Sequence, residues 1–286
     1  MNKPIAVIDL YCGMGGFTQG AVEAGATVIL SCDFWGEAVK VHKLNHPGIP
    51  CLQLKLGSPS DWKLIKQYID KYPNHHIHLH GSPPCQALSN ASSTDPSKGM
   101  PLILHFLDLV DKLNPHSWSM ENVVPMLKRL PEGTPSVVLN SADFGVPQTR
   151  RRCIAGEGWS ANPSHSKDEW VSVIQALPHL ENELPSSLSS VKLEALGSNS
   201  KRNQDRTILE PSKTICGSGN QVGARIFNHE EKPIKIRSLT IEETLTLQGF
   251  NPNFDLSIVK TQKSRWTLIG NAVCPPVAKA IIEGIQ

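Results

Sequence analysis

Net charge is nearly absent from this 286-residue chain: 28 Lys and Arg against 26 Asp and Glu leave +2 with histidine neutral. That balance excludes a uniformly basic surface, so any positive patch has to be local. No C-x-x-C pair occurs. The seven cysteines, at 12, 32, 51, 85, 153, 216 and 274, are an odd set whose closest members stand 19 residues apart. Such spacing disfavours a zinc knuckle and a disulfide framework, and no metal site is expected. No stretch approaches the roughly 20 apolar residues of a membrane span. The first apolar run, Ile5 to Leu10 with Asp9 inside it, is strand-length and shorter than the core of a secretory leader. There is no internal repeat. Apolar residues at 39% plus 21 Gly come to about 45%, the ordinary globular share. A soluble cytoplasmic protein is expected, with a core of about 200 residues and a smaller lobe.

IAVIDL (5–10) and TVILSCD (27–33) read as buried strands, joined by a glycine turn and a helix within 12–25. WGEAVKVHKLNHP (35–47), DWKLIKQYIDKYP (61–73) and PLILHFLDLVDKLNP (101–115) carry helical periodicity. IHLHGSPPC (77–85) and SWSMENV (117–123) are further strands. This alternation predicts a doubly wound α/β fold with a mainly parallel sheet. After about residue 180 the chain turns polar, Ser-rich and Gly-rich, so 180–236 is expected to be a small loop-rich lobe. SLTIEETLTLQG (238–249) predicts a helix with Ser238 as N-cap and a glycine stop. Residues 269–286 predict a closing apolar helix.

Three segments carry chemistry. Gly13, Gly15 and Gly16 let backbone amides approach a ligand at a helix N-terminus, and Asp33 ends the next strand where a carboxylate suits a ribose. The pattern is G-x-G-G rather than G-x-G-x-x-G, so NAD, S-adenosylmethionine and a plain tight turn stay open. In GSPPCQALSNAS (81–92) two prolines fix the chain before Cys85, which a strand delivers to the carboxyl edge of the sheet; a buried structural thiol is the alternative. The small polar run 89–99 suits a lid. Glu121 and Asn122 end another strand at that edge, where a carboxyl group suits a general acid. If Gln148 to Arg152 is extended, period 2 places Gln148, Arg150 and Arg152 on one face and Arg151 on the other. Arginine there suits a phosphate or a base edge.

With those residues in view, the chain resembles the C5-cytosine DNA methyltransferases of restriction–modification systems. DLYCGMGGF (9–17) looks like their cofactor loop and GSPPCQALS like their nucleophile motif. MENV, FGVPQTRRR, RSLTIEETLTLQGF (237–250) and IGNAVCPPVA (269–278) follow in the family's order. The resemblance implies a Rossmann-like methyltransferase fold with a mixed, mainly parallel sheet and a target-recognition lobe. It places a catalytic and cofactor-binding domain at 1–179 completed by 262–286, the recognition lobe at 180–236, and a connecting helix and hinge at 237–261.

The implied reaction moves a methyl group from S-adenosylmethionine to C5 of a flipped-out cytosine in duplex DNA. Cys85 bonds C6 for a time, Glu121 serves N3, and Arg152 supported by Arg150 meets charge near the base carbonyl. Family matching puts the cofactor over Tyr11, Cys12, Gly13, Met14, Gly15 and Gly16, with Asp33 on the ribose and Phe34 beside the adenine. Pro84, Leu102, Asn271, Ala272 and Val273 complete that pocket. DNA contacts are expected from Gln86, Ser89, Asn122, Gln148, Gly217, Gly219 and Arg225, with Lys201, Arg202 and Arg206 adding local charge. A monomer acting on double-stranded DNA beside a cognate restriction endonuclease follows, in a prokaryote or phage. Methylation of tRNA and a silent DNA-binding relative are the alternatives.

Two departures stand out. The family's aspartate after the third strand has no counterpart in LKLGSPSDW (54–62), since Asp61 lies too far into the next helix; and Tyr11 replaces a phenylalanine. His75, His76, His78 and His80 are expected to be packed or edge residues, and the six tryptophans to be core anchors.

Overall fold

The computed structural model describes residues 3–84, 100–183, 191–196, 206–217, 223–228 and 234–285. Cys85, Gln86, Ser89, Lys201, Arg202 and Gly219, with the expected lid at 89–99, lie outside the described residues. In chain order the first elements are β1 (Ile5–Leu10), α1 (Gly16–Glu23), β2 (Thr27–Asp33), α2 (Gly36–Asn45), β3 (Cys51–Gln53), α3 (Asp61–Ile69), β4 (His76–Gly81), α4 (Met100–Leu113) and β5 (Ser117–Val123). They are followed by β6 (Ser136–Asn140), β7 (Gln148–Thr149), β8 (Arg151–Glu157), α5 (Val173–Ala176), α6 (Leu180–Glu183), β9 (Val191–Leu196), β10 (Arg206–Thr207) and β11 (Ser212–Lys213). Last come β12 (Gly223–Asn228), β13 (Ile234–Ser238), α7 (Ile241–Leu247), α8 (Gln262–Asn271) and α9 (Pro275–Glu283).

Two compact units emerge. The first holds residues 1–139, 152–162 and 277–286. Its seven-stranded sheet runs β3-β2-β1-β4-β5-β8-β6. Pairings from β3 through β5 are parallel, and β8 joins β5 antiparallel, giving the mixed, mainly parallel sheet. Strands β1 and β4 are buried from their second residue on, which is why they read as continuous apolar or tightly packed runs. Ile8, Leu10, Leu30, Leu79, Ile103, Phe106 and Met120 fill one core cluster. Gly81 is required by that packing, because a Cβ there would collide with the Phe106 ring. Strand order turns around between β1 and β4. Their carboxyl ends, at Tyr11 and Ser82, therefore flank the crevice in which such sheets bind ligands.

The second unit holds residues 140–151 and 163–276. Here the expected loop-rich lobe is instead a four-stranded antiparallel sheet, β10-β9-β12-β13, beside a parallel pair β11-β7. Val191, Ile208, Ile215 and Ile226 are buried in it, so isolated apolar residues suffice where one strand face is covered. The helix expected from Ser238 begins later. Ser238 ends β13, and Thr240 is the N-cap of α7, its hydroxyl accepting from Glu243 N while Glu243 accepts from Thr240 N in return. Gly249 closes it at φ 83. The single C-terminal helix divides at 272–274, ahead of Pro275 and Pro276. Boundaries differ from the expected ones because 140–151 pairs with 212–215 and bonds 247–272, which draws 163–179 and 262–276 into this unit.

Candidate active site

Beyond Leu10 the chain turns sharply. Tyr11 (φ 56), Gly13 (φ 54) and Gly15 (φ 97) occupy left-handed backbone, and α1 starts at Gly16 with Gly15 as N-cap. Gly15 is enforced twice: an added Cβ would also come within 2.7 Å of His46 Nε2 and 2.9 Å of His42 Cδ2. Asp33 holds the loop. Its Oδ2 accepts from Gly13 N at 2.9 Å and its Oδ1 from Trp35 N at 2.8 Å. Burial pushes the Asp33 carboxyl up, opposed by the bonds from Trp35, Gly13 and Phe34 amides. Phe34 beside it is 57% exposed. Met14 is buried in the core.

Beneath the loop lies a residue that the sequence motifs did not single out. Asp9 is wholly buried; its Oδ2 accepts from Thr18 N at 3.1 Å and Thr18 Oγ1 at 2.7 Å. Thr18 Oγ1 also meets Ser31 Oγ at 3.2 Å and His42 Nε2 at 3.1 Å. The acid inside the first apolar run was the available signal. Asp61 likewise bonds specific partners, accepting from Gly57 N and Ser58 N at 2.8 and 2.9 Å and meeting His105 Nε2 at 3.1 Å. It ties the 57–58 turn to α4, and Leu102 of α4 lies 3.7 Å from where a Gly57 Cβ would stand.

At the carboxyl edge of β5, Glu121 Oε1 pairs with Arg152 Nε at 3.0 Å. Glu121 opposes Ile154 and Arg152 opposes Val123, so the two are diagonal neighbours on one face of the β5–β8 ladder. Asn122, expected on DNA, is 1% exposed and faces inward. Its Nδ2 donates to Pro83 O at 3.1 Å and its Oδ1 accepts from Val123 N at 2.9 Å. It braces the Pro83–Pro84 segment that runs into Cys85.

The second unit uses the Gln148–Arg150 segment internally. Gln148 has no exposure; its Nε2 donates to Leu247 O and Gln248 Oε1, and its Oε1 accepts from Ile215 N. Every polar atom of that amide has a partner within the second unit. Arg150, expected to support catalysis, donates to Ile215 O at 3.0 Å, Gly270 O at 2.9 Å and Ala272 O at 3.2 Å. The extended segment breaks at Arg150, between β7 and β8, so period 2 does not carry through to Arg152. Gly217 is a packing glycine, since a Cβ there would collide with Asn271 Oδ1 and Thr267 O. Val273 is buried beside Ala272. Arg225 sits in β12 opposite Ser238 and Glu194, and Arg206 Nη1 donates to Pro211 O at 3.3 Å.

Residues 5–134 and 161–286 match the family described as C-5 cytosine-specific DNA methylase. The chain belongs to that family. It is 27% identical to the Type II methyltransferase M1.HphI of Haemophilus parahaemolyticus, over 98% of this chain and 86% of that one. To M.HindV of Haemophilus influenzae it is 28% identical over 97% and 95%. The S. pombe Dnmt2 methyltransferase shares the fold alone, with a TM-score of 0.66 over 97% of each chain at 18% identity.

For a DNA cytosine-C5 methyltransferase of this family, the β1–α1 loop has the right character for a nucleoside donor. Among the described residues Tyr11 Oη is buried without a hydrogen-bond partner, and nothing stands in the direction of a Gly13 Cβ. The methylase also brings together cysteines that its sequence keeps apart. Cys12 Sγ lies 4.0 Å from Cys51 Sγ, and donor atoms of Cys12, His42 and Cys51 fall within 4.8 Å of one another. Burial drives the Cys12 thiol well up and holds the His42 imidazole down to about 3.

Proposed function

We propose that the chain transfers a methyl group from S-adenosylmethionine to C5 of a cytosine turned out of a short duplex DNA sequence, with Cys85 bonded to C6 for part of the cycle. Cytosine C5 is too weak a nucleophile to take a methyl group unaided. Addition of the Cys85 thiolate to C6 pushes electrons toward N3, where Glu121 supplies or holds a proton, and C5 becomes enamine-like. The bound sulfonium supplies the electrophilic methyl group. Loss of the C5 proton then returns electrons to the ring and breaks the Cys85–C6 bond. Arg152, ion-paired to Glu121, keeps that carboxyl group aimed and adds positive charge beside the base.

The observation that carries the reading is the Glu121–Arg152 pair standing at the carboxyl edge of β5, with Asn122 bracing the two prolines that precede Cys85. On the cofactor side, Gly13, Asp33 and Phe34 support a nucleoside site, with Tyr11 Oη a donor that has no partner among the described residues. Arg150, Gln148 and Asn122 are positioning residues in this reading. The relatives are named Type II methyltransferases, which supports a restriction–modification role on DNA, beside a cognate endonuclease.

Tritiated S-adenosylmethionine with mixed-sequence duplex DNA should label acid-stable 5-methylcytosine, and duplex containing 5-fluorocytosine should leave a denaturant-resistant adduct on the wild type and none on Cys85→Ser. Absence of label, with the wild type and Cys85→Ser alike, would reject the reading. Competing tRNA should not reduce the label.

A further inference from the structure

Six side chains outside the chemistry above join β4 to β5 in one unbroken line. His76 Nε2 lies 2.8 Å from Ser117 Oγ, which lies 2.8 Å from His78 Nδ1. His78 Nε2 lies 2.9 Å from Ser119 Oγ, and that oxygen 2.8 Å from His80 Nδ1. His80 Nε2 ends the line 2.9 Å from Ser82 Oγ. Register explains the arrangement. His78 opposes Ser117 and His80 opposes Ser119, so period 2 puts the three histidines, Ser117 and Ser119 on one face of the sheet, with Ser82 two residues beyond His80. Six residues of β4 rise about 20 Å.

The middle of the line is dry: His78, His80 and Ser119 have no exposure. Phe17 of α1 stacks on His80, centroids 3.4 Å apart and planes 4° apart, and covers His78 at 6.0 Å. Both ends are only half-buried. His76 sits beside the exposed His116, and Ser82 sits at the carboxyl edge where Pro83 and Pro84 follow. Glu121 is the next residue after Ser119 on that face of β5.

Burial holds the His78 imidazole down to about 3 and His80 well below its ordinary value, so both rings are neutral. A neutral imidazole has one N–H and one bare nitrogen, and a hydroxyl has one O–H. The line therefore has two self-consistent polarities. In one, every ring is protonated on Nε2 and every donor points toward Ser82. In the other, every ring is protonated on Nδ1 and every donor points toward His76.

We infer that this line is a proton relay between solvent at His76 and the active-site edge at Ser82. Resting on the reading proposed above, its client is the Cys85 thiol, whose proton leaves before attack and returns after the thiolate departs. Start with each ring protonated on Nδ1. A proton reaching Ser82 Oγ displaces the hydroxyl proton to His80 Nε2, and His80 gives its Nδ1 proton to Ser119. Ser119 passes its own to His78 Nε2, His78 repeats the step through Ser117 to His76 Nε2, and His76 releases its Nδ1 proton to solvent. Each bond formed is matched by one broken, and the polarity is reversed.

A second proton cannot follow the same way until one has come back. This selects the client. The C5 proton is lost for good in each cycle, whereas the thiol proton leaves and returns, and only the latter resets the line.

The experiment uses the full chain, saturating S-adenosylmethionine and 5-fluorocytosine duplex. Methyl transfer there leaves fluorine in place of the C5 proton and so keeps the Cys85–C6 bond from breaking. Ser119→Ala removes one oxygen from the middle, and Ser117→Ala breaks the line at a second place. Each should slow adduct formation about tenfold or more while leaving DNA affinity unchanged, and should abolish the curvature of the rate against deuterium content that marks several protons in flight. Nitrogen-15 spectra of the wild type should show His78 and His80 exchanging the Nδ1–H for the Nε2–H form when the adduct is trapped. A wild type that forms adduct normally while these tautomers stay put, or alanine variants that keep its rate and curved isotope dependence, would overturn the relay alone. A wild type that forms no adduct would overturn the methyl-transfer reading and leave the relay without a client.

Discussion

Arg150 and Arg152 are two residues apart and do different work. Arg150 satisfies three backbone carbonyls from two distant segments, while Arg152 pairs with one carboxylate at a partly open edge. Lysine has neither the planar fork nor the reach for three acceptors. Arg150→Lys should therefore lower the urea-unfolding free energy by about 2–3 kcal/mol, whereas Arg152→Lys should leave it within about 1 kcal/mol and slow single-turnover methylation instead. Asp9 offers a test of burial. Desolvation pushes its carboxyl up to about 7 against the Thr18 bonds. The folded state thus keeps a proton that the unfolded chain releases near its ordinary value of 3.8. That contribution is full below about pH 4 and is lost as pH rises through about 7. Asp9→Asn, neutral at every pH, should melt above the wild type at about pH 8 and close to it at about pH 4. An equal offset at both would show that charge burial is not the cause.

Elements differ in how plainly the sequence announces them. Strands β1, β2 and β5 were legible because both faces are covered, which demands a run of apolar or tightly packed residues. Strand β3 has three residues and too short a pattern to stand out. The β9–β13 sheet is hard to read because the segments joining its strands, such as 197–205 and 217–222, are rich in Ser, Asn and Gly and mask strands of five or six residues. At α7 both Ser238 and Thr240 suit an N-cap; only Thr240 has Glu243 three residues on. Burial works against the Glu243 charge, but Arg237, His179 and the Thr240 amide together hold it down to about 2. A depressed acid stabilises the fold above its unfolded value of 4.5 and loses that contribution as pH falls toward 2. Glu243→Gln should cost about 2–3 kcal/mol near pH 7, with the gap to the wild type narrowing below about pH 4. A gap that is constant with pH in urea titrations would assign the loss to packing.

For the whole molecule, ligand binding is the readout. A ligand that binds only the folded state adds RT ln(1 + [L]/Kd), about 2.7 kcal/mol at a hundredfold excess over Kd. S-adenosylhomocysteine should raise the wild-type melting temperature accordingly. Asp33→Ala, which releases the Gly13 and Trp35 amides, should lose most of that shift. An undiminished shift would place the nucleoside elsewhere. Among the described residues no helix is long and apolar enough to cross a membrane.

Taken alone, the chain order determined the family and the strand–helix alternation of the first unit, because both are written in contiguous residues: a glycine turn after a strand, Pro-Pro-Cys after another, Glu-Asn at the end of a third. It could not determine which polar residues face inward. Gln148, Asn122 and Arg150 carry the same functional groups that DNA contacts need, and only their neighbours in space turn those groups onto backbone carbonyls and amides. Most of the His–Ser line was likewise invisible, since Ser117 and Ser119 lie about forty positions beyond the histidines they bond and meet them only through the parallel register of β4 and β5. Hydrogen bonds are directional and short, so their partners are fixed by tertiary placement, whereas burial periodicity is local and survives in the sequence.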